Sequence, residues 1–340
     1  MAKSKKKKIE EPATGLSRID DLITKFNKLS DSKVTTVIDG LIEDIPVNAT
    51  SILSLDWALG VGGFPHGRII EIYGGEASGK TTITLQALAA CQARGGIGVF
   101  IDVEHALDPV YAANLGVDMR SLLLTQPQSG EEALSIVENF TKLLGHGDMI
   151  IVDSVAALVP KAELEGDMGD SHMGLQARLM GQGLRKLTGL VGNSGVTVVF
   201  INQTRQKIGV MFGSNETTTG GKALGFYASQ RVQVRASTLN KQGDEAIGRK
   251  VAIKVVKNKV APPFREVELD MRFGRGISKT LDLLNLGLNH GFFEKKGAWY
   301  YYKDQALGQG VEKASSYLDE HKDIIEYVYG ELSKILFKRS

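Results

Sequence analysis

Residues 74–81 read Gly74-Gly75-Glu76-Ala77-Ser78-Gly79-Lys80-Thr81 and fit the pattern G-x-x-x-x-G-K-[ST]. An apolar, strand-like run at 68–73 precedes them, and a helical pattern at 81–93 follows them. In this setting the glycines let consecutive backbone N–H groups converge on phosphate at a helix N-terminus. The Lys80 side chain can reach the β- and γ-phosphates, and the Thr81 hydroxyl can bind Mg²⁺. The stretch therefore predicts a strand, a phosphate-binding loop and a helix that together hold a nucleoside triphosphate.

C-terminal to this loop, further strand-like runs alternate with helical stretches. Strands that are buried on both faces and separated by helices are typical of a mainly parallel sheet with right-handed crossovers. We therefore predict an α/β fold: a mainly parallel twisted sheet flanked by helices, with an N-terminal helix and a small C-terminal α+β domain. The predicted strands lie at 68–73, 98–103, 122–124, 149–153, 196–202, 230–234 and 250–256, and the predicted helices at 81–93, 131–144 and 175–191.

Both ends of the chain differ from this core. Five of the first eight residues are lysine, and apolar residues recur at helical spacing over residues 16–29. Near the other end, an aromatic cluster at 299–302 is followed by helical patterning. We predict three parts, which are a basic tail, helix and linker at 1–44, the nucleotide-binding core at 45–278, and a C-terminal α+β domain at 279–340.

The composition excludes several classes of protein. The chain has 340 residues, 42% of them hydrophobic, and a single cysteine, Cys91, which excludes an internal disulfide framework. No apolar run approaches the ~18 residues that a membrane-spanning helix needs. Glu10 and Glu11 follow the first lysines, where a signal peptide would require an apolar run. We therefore expect a cytoplasmic protein with no membrane partner.

The basic charge of the chain is regional. The formal net charge is only +2, yet residues 230–275 hold eleven Lys or Arg residues against five acids. Such a stretch suits a polyanionic partner such as nucleic acid. It is also typical of the solvated face of β-strands, and charge alone favours this second interpretation.

Two carboxylates are placed to complete the nucleotide site. Asp153 ends an apolar strand, where a metal ion bound to the phosphates would lie, and is predicted to hold Mg²⁺ through water. Glu104 follows the next strand after the helix of the phosphate loop, and is a candidate general base for hydrolysis. Asp102 and Asp108 compete for this role. Tyr111 could stack on a purine.

Eight runs of residues closely resemble the bacterial RecA recombinases, and the likeness extends over about residues 15–335. Members of that family are ATP-dependent recombinases that polymerise on single-stranded DNA and search for homologous duplex. The resemblance implies a RecA-type core, DNA-stimulated ATP hydrolysis and strand exchange in DNA repair, with ATP and Mg²⁺ as cofactors. The runs lie at 71–74, 100–102, 104–109, 152–158, 169–175, 200–203, 217–221 and 256–259.

The resemblance also implies roles for individual residues of the ATP site. Glu104 is the water-activating base, and Gln203 senses the γ-phosphate. Lys257 and Lys259 match lysines that enter the ATP site of a neighbouring protomer, and Phe273 matches an aromatic residue that lies against the neighbour's adenine. The implied nucleotide-binding residues, of which Thr81 and Asp153 also hold the metal, are Gly74, Gly75, Glu76, Ala77, Ser78, Gly79, Lys80, Thr81, Thr82, Asp108, Tyr111, Asp153 and Phe273.

DNA-binding loops are implied at about 163–175 and 204–219. Glycines and helix starts in such loops can offer backbone N–H groups to phosphate, which holds a strand of any sequence. Apolar residues of the second loop could wedge between base steps, or could instead contact another protein. The candidate DNA-binding residues are Met173, Gly174, Arg178, Arg185, Ile208, Met211, Phe212, Gly220 and Gly221.

The implied partners are single-stranded DNA, homologous double-stranded DNA and further copies of the chain in a helical filament, where the 16–29 helix packs on the neighbour. The resemblance also implies self-cleavage of LexA-like repressors in the SOS response, and contacts with single-strand-binding or mediator proteins. Two alternatives share the ATP chemistry: a ring-forming helicase and a non-catalytic recombinase paralogue or loader. The intact Glu104 and Gln203, together with both loops, argue against the paralogue.

Overall fold

The computed structural model describes residues 22–25, 27–28, 45–167, 172, 174–206 and 216–337. The chain divides into two compact units, Met1–Asp44 and Ile45–Ser340. In the first unit, residues 22–25 and 27–28 are helical, within the predicted helix 16–29. The rest of that predicted helix lies outside the described residues.

The second unit is built around a ten-stranded sheet, and it also holds a two-stranded and a three-stranded sheet. In chain order the strands are β1 (Val47–Asn48), β2 (Phe64–Pro65), β3 (Ile69–Gly74), β4 (Gly98–Asp102), β5 (Leu122–Thr125), β6 (Met149–Asp153), β7 (Thr197–Gln206), β8 (Glu216–Thr218), β9 (Gln230–Gln242), β10 (Glu245–Asn258), β11 (Glu266–Arg272), β12 (Gly276–Ile277), β13 (Glu294–Lys296), β14 (Trp299–Tyr302) and β15 (Gln305–Gln309). The helices are α1 (Leu53–Leu59), α2 (Lys80–Ala93), α3 (Pro109–Asn114), α4 (Gly130–Leu143), α5 (Lys161–Leu164), α6 (Leu175–Ser194), α7 (Ala223–Tyr227), α8 (Lys279–Asn289), α9 (Val311–Glu320) and α10 (Lys322–Leu336). Of these helices, none is long and apolar enough to span a bilayer.

The parallel part of the large sheet confirms the predicted α/β fold. Its strands run in the order β9-β3-β7-β6-β4-β5, and every neighbouring pair in this series is parallel. All residues of β3, β4 and β6 are buried, which explains why they are mostly apolar, with Glu71 inside β3 as the exception and an aspartate at the end of β4 and of β6. Helix α2 packs on one face of the sheet, and α4 and α6 pack on the other.

Strands β10, β11 and β12 extend the sheet with antiparallel pairs, so the predicted strand at 250–256 does not belong to the parallel series. A tight turn at Gly243, with φ of 63°, joins β9 directly to β10 without a crossover helix. The predicted DNA-binding loop at about 204–219 has ordered ends. They pair as an antiparallel ribbon, with Thr204 opposite Thr218 and Arg205 opposite Thr217.

The C-terminal part has its own core, formed by α8, α9, α10 and the antiparallel β13–β15 sheet. Leu53 of α1 also belongs to this core. The buried Asp282 of α8 accepts a hydrogen bond from the backbone N–H of Ser54 at 3.0 Å and another from the Ser54 hydroxyl. This carboxylate therefore caps the start of α1 and ties the C-terminal helices to the core of the large sheet.

Asp56 of α1 gives the fold a dependence on pH. Its buried Oδ1 accepts hydrogen bonds from the backbone N–H of Thr50 at 2.8 Å and from the Thr50 hydroxyl at 2.9 Å. Burial raises the pKa of this carboxyl from 3.8 to about 8. Between these two values the folded chain keeps a proton that the unfolded chain loses. The free energy of unfolding should therefore fall with rising pH, by about 1.4 kcal/mol per pH unit from this group.

We expect Asp56→Asn to remove this contribution, because the asparagine carbonyl oxygen can accept both Thr50 hydrogen bonds and carries no titrating proton. The free energy of unfolding, measured with denaturant between about pH 5 and 8, should depend less on pH for the variant than for the wild type. The exposed Glu326→Gln serves as the control and should follow the wild type. The prediction would be contradicted if the free energy of unfolding of Asp56→Asn changed with pH as steeply as that of the wild type.

Candidate nucleotide-binding site

The loop at residues 74–81 joins β3 to α2 at the carboxyl end of the parallel strands. Gly74 cannot carry a side chain, because a Cβ would lie 2.0 Å from the Val234 carbonyl oxygen. Gly79 precedes α2 with φ of 97°, which favours glycine. The Ser78 hydroxyl is buried and has no hydrogen-bond partner among the described residues. An unpartnered hydroxyl at a helix N-terminus fits an anionic ligand such as a phosphate.

Lys80 is buried at the start of α2, with its Nζ donating to the Gly75 carbonyl oxygen at 2.6 Å. Burial lowers the pKa of Lys80, while the charges of Asp153, Glu104 and Glu76 act to raise it. Three acids around one lysine leave the site short of positive charge for a polyphosphate. A metal ion is therefore the natural further source of positive charge.

Thr81 and Asp153 provide oxygen ligands for such an ion. Thr81 Oγ1 donates to Asp153 Oδ2 at 2.7 Å. Burial raises the pKa of Asp153 to about 6, although the Thr81 hydrogen bond and the Lys80 charge act to lower it. Hydroxyl and carboxylate oxygens suit Mg²⁺, whose remaining ligands are usually phosphate and water. Within the described residues no group of three His, Cys, Asp or Glu side chains could hold a metal, so these two oxygens need phosphate to complete the site.

Glu104 lies directly beside this pair. Its backbone N–H donates to the Asp153 carbonyl oxygen at 3.3 Å. Its Oε1 accepts a hydrogen bond from Gln203 Nε2 at 3.1 Å and another from the Ser154 hydroxyl. The structure therefore brings together two residues, Glu104 and Gln203, that are 99 positions apart in the chain.

The two competing candidate bases have structural roles instead. Asp102 is buried, and its carboxylate accepts hydrogen bonds from two backbone N–H groups and one amide side chain. Asp108 is the N-cap of α3 and accepts from two backbone N–H groups of that helix. Asp102 and Asp108 thus each hold a local backbone segment, whereas Glu104 is exposed and contacts Gln203 and Ser154. Its role as the base stays a prediction.

Three further predicted residues lie near the first turn of α2. The Tyr111 hydroxyl is 2.8 Å from Thr82 Oγ1, and the Tyr111 ring packs partly against the core. Asp108 holds the start of the helix that carries Tyr111. This arrangement places the Tyr111 hydroxyl beside the first turn of α2, which follows the phosphate loop.

Phe273 is brought beside the phosphate loop of its own chain. The ring is 47% exposed, and the Arg249 Cζ lies 6.0 Å from its centroid. Arg249 Nη1 in turn donates to the Ala77 carbonyl oxygen at 2.9 Å. The contact with the neighbour's adenine that the resemblance implies stays a prediction, and within its own chain Phe273 is linked to residues 74–81 through Arg249.

Lys257 and Lys259 contact the last turn of α7. Lys257 Nζ donates to the carbonyl oxygens of Gly225 at 2.7 Å and Phe226 at 2.9 Å, and Lys259 Nζ lies 3.5 Å from the latter. Burial and the neighbouring Lys259 charge lower the pKa of Lys257. Phe226 itself is 71% exposed. The two lysines thus lie together beside an exposed aromatic side chain.

The described candidates for DNA binding lie around α6 and the ribbon β7–β8. Gly174, with φ of 81°, precedes α6, and Arg178 and Arg185 are exposed on that helix. Because they are seven residues apart, the two arginines share one face of the helix. Gly220 and Gly221 follow the ribbon. Four other candidates lie outside the described residues, namely Met173, Ile208, Met211 and Phe212.

The end of the second loop packs closely on the start of α6. A Cβ at Gly220 would lie 2.8 Å from Val155 Cγ1, and a Cβ at Gly221 would lie 2.7 Å from Ala177 Cβ. Both glycines have φ near 75°. Glycine is therefore required at both positions for steric and conformational reasons.

Sequence reasoning missed Gln176, which joins these parts. Its Oε1 accepts a hydrogen bond from the Gly220 N–H at 3.2 Å. Its Nε2 donates to the carbonyl oxygens of Val155 at 2.8 Å and Leu158 at 3.2 Å. One amide thus links α6, the end of the second loop and the segment after Asp153. In the sequence, Gln176 is marked only as a polar residue in the first helical turn after a predicted loop.

Much of the basic stretch 230–275 is paired within the chain. Acids hold five of its eleven cations, and four of these acids are exposed, as expected for the solvated face of β-strands, whereas Arg231 pairs with the buried Glu71. The pairs are Arg231–Glu71, Arg235–Glu216, Lys250–Glu268, Lys254–Glu266 and Arg272–Glu312.

Comparison with known proteins gives matches over nearly the whole chain. The family model for the RecA N-terminal domain matches residues 17–278, and the model for the RecA C-terminal domain matches residues 281–335. Protein RecA of Rhodococcus opacus is 55% identical over 298 residues, which cover 88% of this chain and 85% of the relative. Protein RecA of Frankia alni is 52% identical over 328 residues, which cover 95% of this chain and 94% of the relative.

A solved structure also shares the fold. The crystal structure of the RadB recombinase matches with a TM-score of 0.51 and 22% sequence identity, covering 68% of this chain and 98% of that one. At this level of identity the likeness concerns the fold alone. It agrees with the parallel sheet and flanking helices described above.

Proposed function

The chain belongs to the RecA family, and from this membership we propose that it is a DNA-dependent ATPase that forms helical filaments on single-stranded DNA and exchanges strands with homologous duplex. The curated relatives favour this function over a ring-forming helicase or a non-catalytic paralogue. The observation that carries the mechanism is the 3.1 Å contact between Gln203 Nε2 and Glu104 Oε1. This contact joins the candidate base to the strand that leads into the second DNA-binding loop.

ATP and Mg²⁺ fit the residues of this site. The backbone N–H groups of 74–81 and the unpartnered Ser78 hydroxyl would bind the phosphates. Lys80 Nζ would exchange its backbone partner for a phosphate oxygen. Thr81 and Asp153 would hold Mg²⁺, which when bound neutralises charge on the phosphates.

Glu104 would accept the proton of the attacking water. Two donors occupy its Oε1, so the water would approach the other carboxylate oxygen. The attack breaks the bond between the γ-phosphate and ADP, and both products leave. With the γ-phosphate gone, Gln203 loses a contact, and this change would pass along β7 into the DNA-binding ribbon.

Lys257 and Lys259 would act in the ATP site of the next protomer, where they neutralise phosphate charge. Such a contact joins different faces of two copies, so it propagates as a helix instead of closing as a dimer. The exposed Phe226 beside the lysines belongs to the same interface. The predicted helix at 16–29 would hold neighbouring protomers together in either nucleotide state.

Single-stranded DNA would be held by backbone N–H groups at the loop ends and by Arg178 and Arg185 on α6. Met173, Ile208, Met211 and Phe212 remain candidates on the strength of the family resemblance. Membership of the family also supports homologous duplex, LexA-like repressors and single-strand-binding or mediator proteins as further partners.

One experiment tests the proposed function directly. ATP hydrolysis is measured with and without single-stranded DNA, and homologous duplex is then added to follow joint molecules. We expect stimulation of hydrolysis by DNA, joint molecules, and helical filaments in electron micrographs. Unwinding of one polarity without joint molecules would indicate a helicase, and ATP binding without strand exchange would indicate a paralogue.

Phe273→Ala should weaken nucleotide binding by the isolated chain, because the ring lies near the phosphate loop of its own protomer. The loss of an aromatic stack should raise the Kd about tenfold. The measurement is the binding of a fluorescent ATP analogue at low protein concentration, without DNA. Trp299→Ala, which removes an exposed aromatic residue of the C-terminal domain, is the control. Normal binding by dilute Phe273→Ala, with a defect confined to filaments, would assign the ring to the neighbour's site.

A further inference from the structure

Glu71 is a fully buried carboxylate that the proposed ATP chemistry does not use. It lies in β3, three residues before the phosphate loop. Its Oε2 accepts a hydrogen bond from Arg231 Nε at 2.5 Å, and its Oε1 accepts one from Asn202 Nδ2 at 2.9 Å. A buried ion pair contributes little net stability compared with apolar residues of similar volume. The charge at Glu71 therefore points to a role in addition to stability.

Glu71 fixes which way the Asn202 amide points. An ionised carboxylate only accepts hydrogen bonds, so it requires the NH₂ end of Asn202 to face it. Arg231 cannot take over this position, because its guanidinium is held between Glu71 and the ring of Tyr73, with Cζ 4.8 Å from the ring centroid. The Asn202 oxygen is thereby directed away from Glu71.

The orientation of Asn202 matters because its side chain ties both ends of the DNA-binding ribbon together. Its Oδ1 accepts the backbone N–H of Gln203 at 2.9 Å and the Thr219 hydroxyl. Its Nδ2 donates to the Thr219 carbonyl oxygen at 3.1 Å as well as to Glu71. The Thr219 N–H completes the set by donating to the Gln203 carbonyl oxygen at 3.3 Å. A rotated Asn202 amide would lose its side-chain hydrogen bonds to Gln203 and Thr219.

Gln203 is the residue that also reaches the ATP site through Glu104. We propose that Glu71 is a positioning residue which, through Asn202, holds Gln203 and Thr219 in one rigid unit, so that the nucleotide state controls the DNA-binding ribbon. This inference rests on the proposed function. It assigns a role in coupling to a residue that touches neither ATP nor DNA.

Glu71→Gln tests the proposal with almost no change in volume. A glutamine either turns its oxygen to Asn202 and its NH₂ to Arg231, or turns its NH₂ to Asn202 and reverses that amide. The first arrangement leaves the Arg231 charge facing a donor without its acceptor, so the second is favoured, and it removes the hydrogen bonds of Asn202 to Gln203 and Thr219. Asn202→Ala is the second variant and keeps the proposal testable if Glu71→Gln fails to fold. It removes the same link and leaves the Glu71–Arg231 pair intact.

Coupling is measured as two ratios. The first is the rate of ATP hydrolysis with single-stranded DNA divided by the rate without it. The second is the Kd for DNA in ADP divided by the Kd in a slowly hydrolysed ATP analogue. We expect both ratios to fall at least about fivefold, the lower end of typical allosteric coupling. The Kd for a fluorescent ATP analogue should change much less than either ratio.

Thr141→Val is the matched control for lost stability. Thr141 is also buried, and its hydroxyl bonds only within its own helix, to the Val137 carbonyl oxygen at 2.7 Å. If Thr141→Val lowers Tm as much as Glu71→Gln does, both of its coupling ratios should still equal those of the wild type. The positioning role is refuted if Glu71→Gln and Asn202→Ala also keep the wild-type coupling ratios. It is refuted as well if these variants lower the affinity for ATP as much as they lower the coupling ratios. A wild type without DNA stimulation would instead refute the proposed function itself.

Discussion

Lys80→Ala should abolish DNA-stimulated ATP hydrolysis and strand exchange. The Lys80 ammonium is buried beside Asp153 and Glu104, so little water screens its charge there. Without it, a polyphosphate would meet these carboxylates with no protein cation at the start of α2. Loss of one such charged contact in a preorganised site lowers turnover by at least about 100-fold.

Hydrolysis at saturating single-stranded DNA and the yield of joint molecules measure this effect. Lys142→Ala is the control, since it removes an exposed helical lysine that only pairs with Glu138. Lys80→Arg keeps the charge but carries it on a larger planar group that does not match the compact ammonium, and this variant should fail as well. Strand exchange by Lys80→Ala would refute the assignment of the phosphate site.

The fold and the nucleotide site were accessible from the sequence for the same physical reason. Buried parallel strands read as unbroken apolar runs, and functional side chains collect where these strands end. The loop at 74–81, Asp153 and Glu104 each follow such a run, so local pattern and position together predicted them. The 2.7 Å contact of Thr81 with Asp153 fits their predicted common role.

The polar residues that join these parts could not be predicted in this way. Glu71 and Asn202 lie inside apolar strands, where a polar residue has no local signal that distinguishes a buried network from a solvated edge. Glu71 lies 131 positions from Asn202 and 160 positions from Arg231, and only the order of strands in the sheet brings them together. Gln176 and Arg249 were missed for the same reason, since each acts through a contact with a distant loop.

Phe273 shows a different limit of sequence reasoning. The family resemblance assigned this aromatic residue to the neighbour's adenine and said nothing of its surroundings in its own chain. Strand β10 carries Arg249 to the Ala77 carbonyl oxygen, and Phe273 directly follows β11 with its ring centroid 6.0 Å from Arg249 Cζ. Antiparallel strands appended to the parallel sheet create this proximity, and the sequence pattern did not reveal their direction.

Glu104→Ala should still bind ATP and DNA yet hydrolyse ATP very slowly. General base catalysis contributes roughly 10²- to 10⁴-fold. Asp102 is buried with both oxygens accepting hydrogen bonds, and Asp108 caps α3, so we expect neither to replace the lost base. Filaments formed with ATP should therefore persist much longer than those of the wild type. Single-turnover hydrolysis and the rate of DNA release after dilution measure both effects.

Glu104→Gln separates the chemical role of this residue from its contact with Gln203. A glutamine carbonyl oxygen can still accept hydrogen bonds from Gln203 and the Ser154 hydroxyl, but the amide cannot take a proton from water. Both variants should lose turnover, whereas only Glu104→Ala should also weaken the difference in DNA affinity between ATP and ADP states. Glu326→Gln, which alters an exposed carboxylate on α10, controls for charge. Normal hydrolysis by Glu104→Gln would move the base elsewhere, and equal DNA behaviour of the two variants would show that the Gln203 contact carries no signal.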